Sequence, residues 1–397
     1  MQPLSARLRA LSESATLAMA QKSTELKAQG IDIISLSLGE PDFPTPAHIK
    51  EAAKQAIDNN FTTYTPVAGY PALRQAIADK LQRENGLTYA PSQIVVTNGA
   101  KQALVNAIMA IVEKDEEVII PAPYWVSYPE MVKLAEGKSV IVDAGIDQDF
   151  KITAEQLEAS ITDKTRALIL CSPSNPTGSV YSRDELEAIK DVLMKHPNVF
   201  VIADEIYEHI NYIGQHESLA QFDEIRDRVI IINGVSKGYA MTGWRIGWLA
   251  APQWLSSATI KLQGQYTSNP SSVSQKAAEA AYLESQECVE EMRVAFERRK
   301  NLIVELLSEI PGLKVNNPQG AFYVFPDCSN YFGRSHGGIT INSGDDMALY
   351  LLQEAHVASV GGDAFGAPDC IRFSYATSDE QLVEAAKRIK GALEQLK

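Results

Sequence analysis

From position 94 to position 232 the chain alternates between short, continuous apolar runs and longer stretches with helical spacing. Residues 94–97, 117–120, 167–170, 199–202 and 229–232 are such runs, rich in Val, Ile and Leu. Runs of this length and composition read as strands buried on both faces. Between the first two, 102–111 carries apolar residues at helical spacing. The alternation predicts an α/β fold, with a mainly parallel sheet covered by helices. In sheets of this kind ligands sit beyond the carboxyl ends of the strands. The residues that follow each run are therefore where chemistry is expected.

The flanking regions have other patterns. Residues 1–30 are polar and lack a core-helix pattern; Ser12, Ser14 and Thr16 read as part of an arm lying on another surface. Residues 31–38 alternate as a short strand and run into a proline-stiffened loop over 39–46. Pro46 then opens a helix with Ile49, Ala52, Ala53, Ala56 and Ile57 on its apolar positions. Residues 64–71 form a loop and 72–84 a helix. A charged helical stretch over 275–310 leads to a different arrangement. There, strands at 320–325 and 370–375 and helices at 345–356 and from 378 onward predict a smaller α+β unit.

Composition narrows the class. The 397 residues are 45% hydrophobic and 22% charged, ordinary for a soluble globular enzyme. A net charge of -14 argues against nucleic acid or an anionic membrane as partner. No apolar run reaches membrane-spanning length, and the first residues do not read as a signal peptide. Cys171, Cys288, Cys328 and Cys370 are scattered, which suits a reducing, cytoplasmic compartment. The six histidines show no metal-ligand spacing, so no metal is expected.

The richest chemistry follows the last apolar run. Lys237 sits between Gly234 and Gly238, with Ser236 before it and Arg245 eight residues on. A lysine amine can condense with an aldehyde, and an Arg can hold a phosphate bidentately. A solvated loop lysine is the plain alternative. A sharper one is the nucleophile elbow Gly234-x-Ser236-x-Gly238 of a serine hydrolase, with His336 or His356 and Asp327 or Asp345 as partners. The elbow needs a helix next, and Gly243 and Gly247 make a poor one.

The other strand ends decide between these. Gly99-Ala100-Lys101 opens a helix and offers free N–H groups to an anion. Trp125 follows Pro121 and Pro123, a fixed loop suited to a stacking surface. Asn175 begins the turn Asn175-Pro176-Thr177-Gly178. Asp204 and Glu205 end a buried run, with Tyr207 just beyond. A nucleotide triphosphatase would need a glycine where Val132 stands ahead of Gly137-Lys138-Ser139. One ligand, pyridoxal 5′-phosphate, accounts for every position. Its pyridine nitrogen wants Asp204, its phenolic oxygen Asn175 and Tyr207, and its ring Trp125. Its phosphate wants Gly99, Ala100, Ser236 and Arg245, and its aldehyde wants Lys237. The hydrolase reading uses Ser236 alone.

On these residues the chain resembles the class I aminotransferases of fold type I, from about Ser14 to the C-terminal helix. The matching stretches are Gly39-Glu40-Pro41-Asp42, Pro123-Tyr124-Trp125, Asn175 to Gly178, Asp204-Glu205-Ile206-Tyr207, Ser236-Lys237 with Met241 to Gly247, and Arg372-Phe373-Ser374. It is most similar to the bacterial aspartate aminotransferase branch with Gly-x-Lys-Gln at 99–102. The resemblance implies an arm and part of a small domain over 1–45, a large cofactor domain over 46–285 and a small domain over 286–397. It implies a homodimer with shared sites, in which Tyr64 reaches the neighbouring subunit's phosphate. Lys237, Asp204 and Tyr207 take catalytic roles. Gly39, Trp125, Asn175 and Arg372 bind substrate, with Arg372 on the α-carboxylate. Lys101, also near the cofactor, takes the second carboxylate of a dicarboxylic substrate together with Ser14 and Thr16. The expected reaction is ping-pong transfer from L-aspartate to 2-oxoglutarate, with aromatic amino acids or prephenate as alternative substrates. One departure stands out: Gly234 occupies a place where some relatives carry a hydroxyl.

Overall fold

The computed structural model describes residues 4–397. Seven strands form the central sheet: β1 (Ile94–Thr97), β2 (Glu117–Ala122), β3 (Lys138–Asp143), β4 (Thr165–Cys171), β5 (Phe200–Asp204), β6 (Val229–Gly234) and β7 (Gly247–Ala250). Their order is β1-β7-β6-β5-β4-β2-β3. β7 is antiparallel to both its neighbours, and the remaining pairs are parallel. The apolar runs are buried throughout β1 and β6, as strands covered on both faces must be. Helices Pro71–Asn85 and Ser272–Leu283 pack with one face of the sheet, and Ala100–Ile111 and Gln253–Tyr266 with the other.

The register sets the site. Cys171 pairs with Asp204, Asp204 with Ile232, and both Thr97 and Gly234 with Gly247. The carboxyl ends of β1, β4, β5 and β6 and the start of β7 therefore share one edge. Gly234 and Gly247 let the chains meet there: a Cβ on Gly234 would lie 2.7 Å from the Gly247 Cα, and one on Gly247 would lie 2.2 Å from the Ala100 nitrogen. That contact explains why position 234 has no hydroxyl-bearing side chain.

A second core joins Ile34 and Leu36 to Phe296, Ile303, Phe322, Tyr323, Ile371 and Phe373. Its three-stranded antiparallel sheet runs Val360–Gly361, Ile371–Ser374, Tyr323–Val324. The long helix Glu287–Ser308 contributes Met292, Phe296, Ile303 and Leu307 to this core.

Several expectations are corrected. β3 and β7 carry no strand in the sequence reading. β3 is an edge strand in which Lys138, Ser139 and Asp143 leave an apolar run of only Val140 to Val142, with Ile141 exposed, and β7 starts on a glycine. The alternating stretch 31–38 pairs only at Ile34–Ser35, in parallel with Val357–Ala358. The helical stretch 275–310 is two helices, Ser272–Leu283 and Glu287–Ser308; between them Glu284 is extended and Gln286 donates to the Ala281 and Glu284 carbonyls. The helix from 345 ends as a wider π turn, Leu351–Ala355, with His356 at φ +53°. Ile57, read as a core position, is exposed. Residues Ala15–Ala28 do form a helix, but Ser23 is its one buried residue.

Candidate active site

At the carboxyl edge of the sheet lies a cavity of about 450 Å³, open toward solvent and roofed by the second core. It collects Lys237, Asp204, Tyr207, Asn175, Trp125, Ala100, Lys101, Ser236, Arg245, Gly39, Ser14, Thr16 and Arg372 on one wall or another.

Asp204 is the last residue of β5 and is buried. Its Oδ2 accepts a 2.6 Å hydrogen bond from the Tyr128 hydroxyl, and its Oδ1 accepts from the Ile206 N–H at 3.3 Å. Burial dominates these donors and raises its pKa to about 6. Lys237 follows β6 in the turn that Gly238 allows against His209, whose ring a Cβ there would strike. Its Nζ donates to the Gly39 carbonyl at 2.5 Å. Desolvation lowers its pKa to about 8, against a smaller opposing pull from Glu40. Glu40 in turn accepts a hydrogen bond from Thr242.

Arg372 comes from the small antiparallel sheet and is 1% exposed. Its Nη1 donates to Asn175 Oδ1 at 2.8 Å and its Nη2 to the Ser37 carbonyl at 2.7 Å, while Nε has no partner. The guanidinium lies between the Tyr323 and Phe365 rings, 4.6 and 4.9 Å from their centroids. Desolvation lowers its pKa. No described carboxylate pairs with it, so an Arg neutralised by a structural acid is excluded. Because Asn175 spends its oxygen on Arg372, its amide N–H groups remain for a ligand. The Tyr207 hydroxyl is 2.8 Å from that of Tyr323. Tyr207 lies in a turn after β5 and not one helical turn beyond Asp204, as a helix there would have placed it.

An anion corner is built where helix Ala100–Ile111 begins. Gly99, at φ +81°, caps it; a Cβ there would sit 2.3 Å from Arg245 Nη2. Arg245 itself is at φ +59° and donates to the Thr242 and Asn98 carbonyls. Glycine at 99 is thus what lets the guanidinium approach the helix start. Ser236 is buried beside it. Lys101, one residue into the helix, holds its ammonium 4.8 Å from the Trp125 ring centroid. Desolvation first, and Arg245 second, lower its pKa. Ser14 caps helix Ala15–Ala28 through its position but makes no side-chain capping bond, leaving its hydroxyl for the cavity; Thr16 stands in the first turn.

Tyr64 is the candidate left outside: it is 92% exposed, on the loop before helix Pro71–Asn85. Among the described residues Ser236 has no hydrogen bond to a histidine. His336 packs edge-on to Tyr350 in the second core, so the hydrolase arrangement is not formed. Two groups of carboxylates and histidine do converge elsewhere, Glu84–Glu208–His209 and Glu205–Glu208–His216, with no sequence spacing to announce them. Glu208 is already bonded to Lys80, Asn85 and Asn233. Sequence reasoning also missed Tyr128 and Tyr323. Tyr128 was within reach, being three residues after Trp125 in a short helical turn; Tyr323 was not.

The residues fit a phosphorylated pyridine aldehyde. The glycine-lined corner would be filled by any Cβ, the Arg372 Nε is a buried donor without a partner, and a partly neutral lysine faces a buried carboxylate.

Comparison with known proteins agrees with this chemistry. The family model described as aminotransferase class I and II matches residues 31–389. An aspartate aminotransferase of Bacillus sp. (strain YM-2) is 50% identical over 388 residues, 97% of this chain and 98% of its own. An aspartate/prephenate aminotransferase of Cereibacter sphaeroides is 50% identical over 390 residues, 98% of each chain. The crystal structure of the aspartate aminotransferase from Rhizobium meliloti superposes with a TM-score of 0.96 at 44% identity, covering 100% of both chains.

Proposed function

The chain belongs to the class I and II aminotransferases, and from that premise we propose that it moves the amino group of L-aspartate to 2-oxoglutarate in a ping-pong cycle with pyridoxal 5′-phosphate as coenzyme. The carrying observation is the charge of the cavity. In a chain of net charge -14, Arg372 and Lys101 both line it, and no described carboxylate pairs with either. A buried cation without a counter-ion is unfavourable until a ligand supplies one. Arg372 is such a cation; Lys101, more exposed, adds a second positive charge in the same cavity, and the two together suit a substrate with two carboxylates.

When bound, the coenzyme supplies an electron sink for the carbanion formed at the amino acid's Cα. Lys237 would hold its aldehyde carbon, Ala100, Ser236 and Arg245 its phosphate, Asn175 and Tyr207 its phenolic oxygen, and Trp125 its ring face. Arg372 binds the substrate α-carboxylate through a planar donor fork. Lys101, with Ser14 and Thr16, binds the distal carboxylate. Asp204 holds a proton on the ring nitrogen, and a cationic nitrogen there would bring its pKa back down from about 6. Lys237 Nζ would take the proton from the substrate Cα and then give it up across the intervening nitrogen, acting as base and then acid. Its lowered pKa keeps enough neutral amine for this near neutral pH. Parallel double-reciprocal lines for aspartate against 2-oxoglutarate are expected; converging lines refute the cycle.

A second reading has its own support. Leu17 and Leu38, both substantially exposed, line the same cavity beside Lys101. A ring-bearing 2-oxo acid with a second carboxylate, such as prephenate, would use the same two cations and cover this apolar wall. Amino transfer from aspartate to prephenate in place of 2-oxoglutarate tests it.

The active form is a homodimer in this reading, with Tyr64 of each subunit completing the phosphate site of the other. Its exposed ring, on a loop outside its own cavity, supports that assignment; a fully active monomer in sedimentation would refute it. Four free cysteines fit a cytoplasmic enzyme, and among the described residues no helix is long and apolar enough to cross a membrane.

A further inference from the structure

The loop that carries Tyr64 is held far more firmly than an exposed connection requires. Gln275 and Gln263 are each fully buried. The Oε1 of Gln275 accepts from the Tyr70 N–H at 2.7 Å, and its Nε2 donates to Thr65 Oγ1 at 3.2 Å and the Pro270 carbonyl at 2.9 Å. Gln263 Nε2 donates to the Val67 carbonyl at 2.8 Å and the Val96 carbonyl at 2.9 Å, and Asn106 donates to its Oε1 at 3.0 Å. At the start of the loop Ser272 Oγ donates to the Phe61 carbonyl at 2.6 Å. Gly69, at φ +95°, is wedged so tightly that a Cβ would lie 2.6 Å from Val96 and 3.0 Å from Gln275 Oε1. The loop is thus pinned to β1 and to helix Ser272–Leu283 on both sides of Tyr64, and the Tyr64 side chain stands outward, 92% exposed.

Two fully buried amides tie this loop through Thr65, Val67 and Tyr70 to Pro270, Val96 and Asn106, an expensive arrangement for a mere connection, since any lost bond leaves an unpaired polar group in the interior. Its physical effect is to remove the ordering entropy that a mobile tyrosine would lose on engaging a ligand. We propose that Gln275, backed by Gln263, is a positioning residue for coenzyme binding in trans: it fixes the Thr65–Tyr70 segment so that Tyr64 meets the phosphate of the neighbouring subunit already in place. This rests on the dimer reading given above. Gln275 itself touches no coenzyme atom and acts through Tyr64.

The test is a double-mutant cycle on the release of pyridoxal phosphate from holoenzyme, followed by trapping the freed coenzyme, with the melting temperature of each variant recorded alongside. Tyr64→Phe removes one charge-assisted hydrogen bond and should speed release about tenfold or more. Gln275→Met keeps the side-chain volume and removes the amide; it should speed release comparably in the wild-type background. In the Tyr64→Phe background it should add less than about twofold, because the bond it positions is already absent. A purely structural role for Gln275 would multiply the rate by the same factor in both backgrounds, and that result overturns the proposal, as does wild-type release from Gln275→Met. Wild-type release from Tyr64→Phe overturns the trans contact itself. If Gln275→Met does not fold, Ser272→Ala, which removes one bond at the start of the loop, is read in the same cycle against the same criteria.

Discussion

Replacing Lys101 by alanine separates a dicarboxylate site from a general anion site, and the structure bounds the effect. The Lys101 ammonium stands 4.8 Å from the Trp125 ring centroid, in the same cavity as Arg372. A hydrogen bond between two charged groups contributes about 1.5–3 kcal/mol. Part of that is offset, because turning toward a ligand weakens a cation–π contact worth about 0.5–2 kcal/mol. A net loss of about 1–2 kcal/mol follows, or roughly 5- to 30-fold in the rate constant per concentration for L-aspartate. L-phenylalanine has no distal carboxylate and should lose less than about twofold; it can even gain, since its ring no longer desolvates an ammonium. The assay must isolate the donor half-reaction, because 2-oxoglutarate carries two carboxylates of its own. Stopped-flow absorbance of the coenzyme band, with donor alone in excess, does this. Arg372→Lys serves as the control and should depress both donors by about 10- to 100-fold, having lost the planar fork. Equal losses for aspartate and phenylalanine on Lys101→Ala would refute the reasoning and leave Lys101 as a phosphate or helix-start residue.

Three further outcomes are expected. Asp204→Asn keeps the shape of a side chain that sits against Tyr128 and removes its charge; coenzyme should remain bound while the half-reaction slows by more than about 100-fold, and a loss under tenfold, about 1.4 kcal/mol of barrier, rules out the electronic role. Tyr128→Phe deletes the 2.6 Å donor to Asp204 Oδ2; hydrogen bonding to the ionised form lowers a carboxyl pKa, so its removal should shift the Asp204 titration upward, visible as a change in the pH dependence of the coenzyme absorption band, and an unchanged titration would show that the bond is idle. Lys237 has its pKa lowered from 10.5 to about 8, mainly by burial; the neutral, nucleophilic amine is then roughly a tenth of the population at pH 7 and the majority above pH 8, so the rate at which apoprotein captures pyridoxal phosphate should rise through pH 8 and level off, whereas a rate still climbing at pH 10 would mean an unshifted lysine.

What the sequence determines by itself is local. The apolar runs of β1, β2, β4, β5 and β6 announce their strands, because a strand buried on both faces needs an unbroken apolar run, and runs this short and rich in Val and Ile suit a strand better than a buried helix. The residues just past them, Ala100, Asn175, Asp204, Ser236 and Lys237, follow as site candidates, since a parallel sheet puts all those ends on one edge. Gly99, Gly234 and Gly238 are legible as turns, though not for what they clear. What only the tertiary structure decides is which distant groups meet. Arg372 gains its partners from Asn175 and from Ser37, 197 and 335 positions away, and the absence of a carboxylate among them is invisible in any local window. β7 enters the sheet antiparallel between β1 and β6, where Gly247 pairs with both Thr97 and Gly234, and Gly247, read as a helix breaker, meets the turn glycine Gly234 in the contact that brings Arg245 and Ser236 to the start of helix Ala100–Ile111. Tyr128 against Asp204 and Tyr323 against Tyr207 arise in the same way. Periodicity and turn chemistry act over a few residues and can be read from the chain; burial, desolvation and the pKa values they set depend on everything packed around a group, and exist only once the chain has closed on itself.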